Sequence, residues 1–275
     1  MTSPALHTIF QAKNVGKTFS VKAQDITVLS DVNMEVQKSE FLVIFGPSGC
    51  GKSTLLHTLL GLEQPTSGDV SFLGSSLYRN LDEDGRSDIR KRHIGMVYQQ
   101  PNWIKALTVK ENIMVPLRLS GATLASASDR AEEVLKLVGM TDWRDYIPTE
   151  LSSGQQQKVA LARAVVTNPD VLIADEPTGN LDFESGKELM RLLSSLHQNG
   201  KTVIMVTHDL EYLMYAGRAL QMFDGKIIEE VNDPDRFVKD NHLAMKRGQS
   251  EPILMPEEKN ESPKPNGIKT SVENL

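Results

Sequence analysis

The segment Gly46-Pro47-Ser48-Gly49-Cys50-Gly51-Lys52-Ser53-Thr54 carries the residue types needed to hold a chain of phosphates. Its glycines let the backbone curl so that successive N–H groups face one anion. The apolar run Phe41–Phe45 precedes it and a helical pattern, Lys52–Leu60, follows. A phosphate held between them also meets the partial positive charge of a helix start. Lys52 is placed to reach the outer phosphates, and the Ser53 hydroxyl suits Mg²⁺. Cys50 has two readings: a thiol near a helix start, where the thiolate is favoured, or a small serine-like residue filling the turn.

A second constellation is Val171-Leu172-Ile173-Ala174-Asp175-Glu176. An apolar strand ending in two carboxylates delivers them to the carboxyl edge of a sheet, where ligands bind in such sheets. Asp175 suits the metal shell, and Glu176, one residue on, suits polarising an attacking water. These two motifs together fit many ATPases and GTPases. A third, Leu151-Ser152-Ser153-Gly154-Gln155-Gln156-Gln157-Lys158 and on through Ala164, sets hydroxyls and a glycine at a helix start, which makes a second anion-binding site.

The third segment resembles the signature of the ABC ATPases, LSGGQ followed by a helix, and the other landmarks of that family follow in order over about Ile9 to Val231. Ser153 departs from the pattern, standing where the family has its first glycine, whereas Gly154 keeps the second. The resemblance implies an α/β fold: a P-loop NTPase (RecA-like) parallel-sheet core, an N-terminal antiparallel β subdomain and a helical signature subdomain. It implies that Gln99 senses Mg²⁺ and links the site to a membrane partner, and that His208 contacts the γ-phosphate. Phe19 falls where an aromatic ring stacks on adenine. Gly179-Asn180-Leu181-Asp182 falls where a loop crosses to a second subunit.

The resemblance further implies a head-to-tail dimer, a homodimer by expectation, enclosing two ATP molecules with Mg²⁺. Each nucleotide lies between Gly46–Thr54 of one chain and Ser152–Gln155 of the other. Its catalytic groups are then Glu176, His208, Lys52 and Gln99, with Ser53, Gln99 and Asp175 around the metal. Within the family, Glu176-Pro177-Thr178-Gly179-Asn180-Leu181-Asp182 resembles the branch of lipoprotein-releasing, macrolide-efflux and cell-division ATPases. That implies transmembrane permease subunits as partners and a place on the cytoplasmic face of the membrane. An importer ATPase or a divisome regulator is the alternative within the family.

The elements that must position these groups show as short apolar runs alternating with helical patterns, the mark of a parallel sheet covered by helices. The expected strands are Phe41–Phe45, Ile94–Tyr98, Val171–Ala174 and Thr202–Thr207. The expected helices are Lys52–Leu60, Asp129–Val138, Gly154–Val166 and Glu184–Gln198. Asp224-Gly225, between Leu220–Phe223 and Lys226–Ile228, signals a tight hairpin. Residues 1–231 are expected to form the ATPase domain, with its helical subdomain at about 100–165. Residues 232–275 form a charged, proline-containing tail, expected to be largely mobile, in which Asp235–Lys246 has helical character. Trp103 and Ile104, apolar in a polar loop, either help form a groove for a partner's helix or pack beneath their own loop.

Composition narrows the field. With 275 residues, 39% hydrophobic and 24% charged, the chain is ordinary for a soluble globular protein. A net charge of −6 offers nucleic acid no attraction, so no nucleic-acid partner is expected. Neither the long coiled-coil insertion of DNA-repair relatives nor the duplicated unit of translation-factor relatives is present. A single cysteine excludes an internal disulfide. The first residues do not read as a signal peptide, and no run approaches the roughly 18 apolar residues that span a bilayer.

Overall fold

Phe41–Phe45 is apolar at every position and buried at every position. Phe41, Val43 and Phe45 enter one core while Leu42 and Ile44 enter another, because successive side chains of a strand point to opposite faces. The sheet containing this strand therefore divides the molecule into two hydrophobic layers.

The computed structural model describes residues 8–22 and 24–246. In chain order come β1 (Thr8–Val21), β2 (Gln24–Gln37), β3 (Phe41–Phe45), α1 (Lys52–Leu59), β4 (Ser67–Phe72), β5 (Ser75–Ser76) and α2 (Glu83–His93). Next are β6 (Ile94–Tyr98) and three helices, α3 (Val109–Leu119), α4 (Leu124–Leu137) and α5 (Ser153–Val165). They are followed by β7 (Val171–Asp175), α6 (Phe183–Gln198), β8 (Thr202–Thr207), β9 (Arg218–Phe223), β10 (Lys226–Val231) and α7 (Pro234–Lys246).

The larger sheet has the order β10-β9-β3-β8-β7-β6. Five of these strands run parallel, and β10 pairs antiparallel with β9. The turn joining those two has positive φ at both Asp224 and Gly225, as a tight hairpin demands. A second, antiparallel sheet has the order β2-β1-β4-β5. Its apolar face, including Ile9, Phe10, Val32, Val36 and Val70, shares one core with α1 and the Leu42 and Ile44 side of β3. Helices α3, α4, α5 and α6 cover the other side. The expected α/β core, antiparallel β layer and helical layer are all present.

Five helices start on a side-chain cap: Asp82, Thr108, Thr123, Ser152 and Asp182 for α2 to α6 in turn. Such caps occupy N–H groups that a helix start otherwise leaves free. Helix α1 has no side-chain cap. The helix anticipated in the tail forms as α7, and its Phe237 ring packs edge-on against Phe45 at 5.7 Å between centroids. The rest of the tail, 247–275, lies outside the described residues.

Candidate active site

The phosphate loop leaves the end of β3 and enters α1 through three glycines with positive φ, Gly46, Gly49 and Gly51. Two of them stand where a side chain has no room. A Cβ on Gly46 would sit 2.1 Å from the Met222 carbonyl oxygen, and one on Gly51 would sit 2.7 Å from that of Val28. The loop is thus wedged between β2 and β9. The β9–β10 turn adds a further hold, since the Gly225 N–H donates to the Cys50 carbonyl over 3.0 Å. The uncapped start of α1 keeps its N–H groups for an anion.

Lys52 is only 5% exposed, and its ammonium donates to the carbonyls of Gly46 (2.8 Å) and Pro47 (2.9 Å). It is folded across the loop that it shares with Ser48 and Thr54. The Ser53 hydroxyl lies 3.4 Å from Asp175 Oδ1, so these two expected metal ligands, far apart in sequence, meet. Burial, and then the neighbouring Glu176 charge, push the Asp175 carboxyl above its ordinary value. A cation between Ser53 and Asp175 would relieve both effects. Among the described residues no three His, Cys, Asp or Glu side chains gather to hold a metal alone. A divalent ion here would complete its shell from a phosphate chain.

Glu176 follows β7 with φ of 45°, a left-handed conformation that is strained for a residue of this type. Its N–H donates to the Val206 carbonyl of β8 at 2.9 Å. The backbone is therefore fixed, and the carboxylate stands 3.2 Å from His208 Nδ1. His208 comes immediately after β8 and is more than half exposed, whereas Glu176 is largely covered. Gln99 comes immediately after β6, and its amide nitrogen lies 2.8 Å from the point where a Cβ on Gly179 would be. Gly179 is what admits Gln99 to this corner. The structure thus gathers Lys52, Ser53, Asp175, Glu176, Gln99 and His208 at the carboxyl edge of one parallel sheet.

Two expectations fare differently. Cys50 is buried, and burial raises its thiol pKa; this favours the space-filling reading over the thiolate. Phe19 stands on β1, partly exposed, with the Lys17 ammonium 4.6 Å from its ring centroid. Lys17 pairs with Leu29, which touches the position of a Gly51 Cβ, so Phe19 lies in the strand beside the loop.

The signature segment forms the start of α5. Ser152 and Gln155 close a reciprocal cap at the start of α5, with Ser152 N–H donating to Gln155 Oε1 at 2.9 Å. Ser153, at the first helical position, is exposed. Gly154 is buried against Ser185 of α6, 2.7 Å from a would-be Cβ to the hydroxyl. Asp182 caps α6, accepting from Ser185, and those bonds hold its carboxyl below the ordinary range.

Trp103 donates from its indole N–H to Gln156 Oε1 at 2.9 Å, and the Arg163 guanidinium lies 4.6 Å from its ring centroid. It packs on its own chain. Ile104 is exposed and lines a groove of about 400 Å³ with Met96, Asn102, Pro116, Leu119 and Arg163. A residue to which the sequence reading gave no role is Gln157, buried beneath Gln99 with its amide nitrogen donating to the carbonyls of Tyr98 and Gln99.

Known proteins resemble this chain over most of its length. The family model described as "ABC transporter" matches residues 29–179. An ABC transporter ATP-binding protein of Methanocaldococcus jannaschii is 41% identical over 82% of this chain and all of its own length. The ATP-binding protein YbbA of Escherichia coli is 40% identical over 81% of this chain and 97% of its own. The macrolide export ATP-binding/permease protein MacB of a Shewanella species is 41% identical over 78% of this chain, which spans only 33% of that longer protein. Among solved structures, the dimeric ATP-binding cassette MJ0796, in a post-hydrolysis state with ADP and Pi, superposes with a TM-score of 0.76 at 38% identity. That superposition covers 82% of this chain and 98% of the other.

Proposed function

Because the chain belongs to the ABC transporter family of ATPases, we propose that it is the ATP-hydrolysing motor subunit of a membrane transporter. The observation that carries the reading is the 3.2 Å approach of His208 to Glu176 at the strained residue after β7. In this reading Glu176 polarises the attacking water, and the His208 imidazole contacts the γ-phosphate. Lys52 and the N–H groups of Gly46–Thr54 neutralise the phosphates. Ser53, Asp175 and Gln99 hold Mg²⁺, which when bound adds positive charge at the oxygens where negative charge develops.

Two copies enclose two ATP molecules head to tail; that MJ0796 is dimeric supports the pairing of two such chains. The helix start at Ser152–Gln155 of one copy faces the phosphate loop of the other, and Asp182 lies at the crossing between them. Phe19 stacks on adenine. ATP joins the two halves because it binds both, and its hydrolysis releases them. The groove lined by Ile104 receives a transmembrane permease subunit, which keeps the chain at the cytoplasmic face of the membrane. No helix among the described residues is long and apolar enough to cross a membrane itself. In this reading the transporter exports or extracts a lipid, lipoprotein, peptide or drug-like substrate; the likeness to a macrolide export protein supports the export side of it.

Glu176→Gln tests the assignment. It should leave ATP binding intact, slow turnover by about 10²–10⁴-fold, and accumulate an ATP-bound dimer on size exclusion. Parental turnover in that variant would remove Glu176 from the role of base.

A further inference from the structure

Helix α5 grips the segment that carries Gln99 at three points. Gln156 Oε1 accepts from the Trp103 indole (2.9 Å), and Arg163 Nη1 donates to the Asn102 carbonyl (2.9 Å). Between them, Gln157 Nε2 donates to two successive carbonyls, Tyr98 at 3.1 Å and Gln99 at 2.8 Å. The amide orientation is set by these contacts, since the reverse would press its oxygen against two other oxygens. Gln157 is only 2% exposed, and its Oε1 has no hydrogen-bond partner among the described residues. Burying an acceptor without a donor is unfavourable, so the two donated bonds are what this side chain contributes.

Those bonds fall where the backbone leaves the sheet. Tyr98 is the last residue of β6 and lies in register with Asp175 of β7. Beyond it the chain has no ladder to hold it, and Gln99 projects from that first free peptide. We infer that Gln157 is a positioning residue: it fixes the backbone from which Gln99 reaches the metal and the attacking water. It also ties that backbone to the helix whose start, Ser152–Gln155, acts on the partner's nucleotide. The inference rests on the proposed role of Gln99.

The test uses the full chain with Gln157→Met, which keeps length and removes both donors, together with Gln99→Ala and the double variant. Gln157→Glu, of the same size with acceptors only, carries the same expectation and replaces the Met variant if that fails to fold. Turnover should fall about 10–100-fold with the affinity for a fluorescent ATP analogue unchanged. Amide exchange across residues 98–103 should rise while that of β3 and β8 stays at the parental rate. The double variant should be no slower than Gln99→Ala, because a residue acting through Gln99 has nothing left to position. Additive losses, or parental exchange at 98–103, would overturn the inference. If Gln99→Ala turns over at the parental rate, the role of Gln99 fails instead, and the exchange result alone decides whether Gln157 holds the loop.

Discussion

Asp175 is the residue at which burial and function pull in opposite directions. Its carboxyl is pushed above its ordinary value by desolvation and by the Glu176 charge, with Ser53, His57 and Lys52 acting the other way. A carboxyl whose folded value is raised binds its proton more tightly in the folded state. Folding stability is therefore lost as pH climbs from the unfolded value through the raised one, and the deficit persists above it. Asp175→Asn should make the nucleotide-free protein more heat-stable at pH 7 to 8, by about 2–4 °C for each kcal/mol relieved. The gain should vanish near pH 3, where both forms are neutral, and thermal scans across that range measure it. The same variant should lose Mg²⁺-dependent turnover. Residues of this kind were legible from sequence because loop, strand end and carboxylate pair have fixed spacings. Gln156 and Gln157 were not, since one letter repeats three times over Gln155, Gln156 and Gln157 while each successive residue turns about 100° around the helix. The first completes a cap, the second receives Trp103 and the third is buried beneath Gln99.

Elements were readable where burial is uniform. β3 and β8 are buried at every residue, and their apolar runs match the observed bounds. β1 and β2 escaped because one face of the pair meets solvent and several register shifts interrupt the alternation. α2 buries no residue and so has no apolar stripe; Glu83 pairs with Arg86 and Arg90 along its charged surface. α3 carries Pro116 inside it, which reads as a break. α7 has a consequence beyond its existence. It packs on the turn Leu210–Tyr215, just after His208, and its Phe237 meets Phe45, just before Gly46. Phe237→Ala should lower stability by about 2 kcal/mol, less than a fully buried phenylalanine because this ring is only partly covered. Urea titration should show an earlier midpoint with an unchanged slope; an unchanged midpoint would make α7 a passive appendage.

At the scale of the whole molecule, the groove beside Ile104 lies where α5, α3 and β6 converge, so a force applied there reaches α5 directly. Ile104→Asp should abolish co-purification with the membrane subunits while nucleotide binding stays at the parental level. Retained assembly would move the docking face elsewhere. Trp103→Ala should act differently, loosening the loop from Arg163 rather than removing a contact with the partner. The order of strands in the larger sheet has a further meaning for the chain as it is made. β3 is synthesised early, yet its two neighbours are β8 and β9, which among the described residues precede only one hairpin strand and a helix. The loop after β3 leans on Met222 and Gly225, residues of that same late segment. A nascent chain that has passed Thr54 but not Gly225 has every residue of that loop and lacks the contacts with Met222 and Gly225 that hold it in the folded protein. Pairings between such distant segments form slowly, so stalled ribosome-bound chains should gain nucleotide affinity only once Gly225 has emerged, which binding of a fluorescent ATP analogue to chains of increasing length measures.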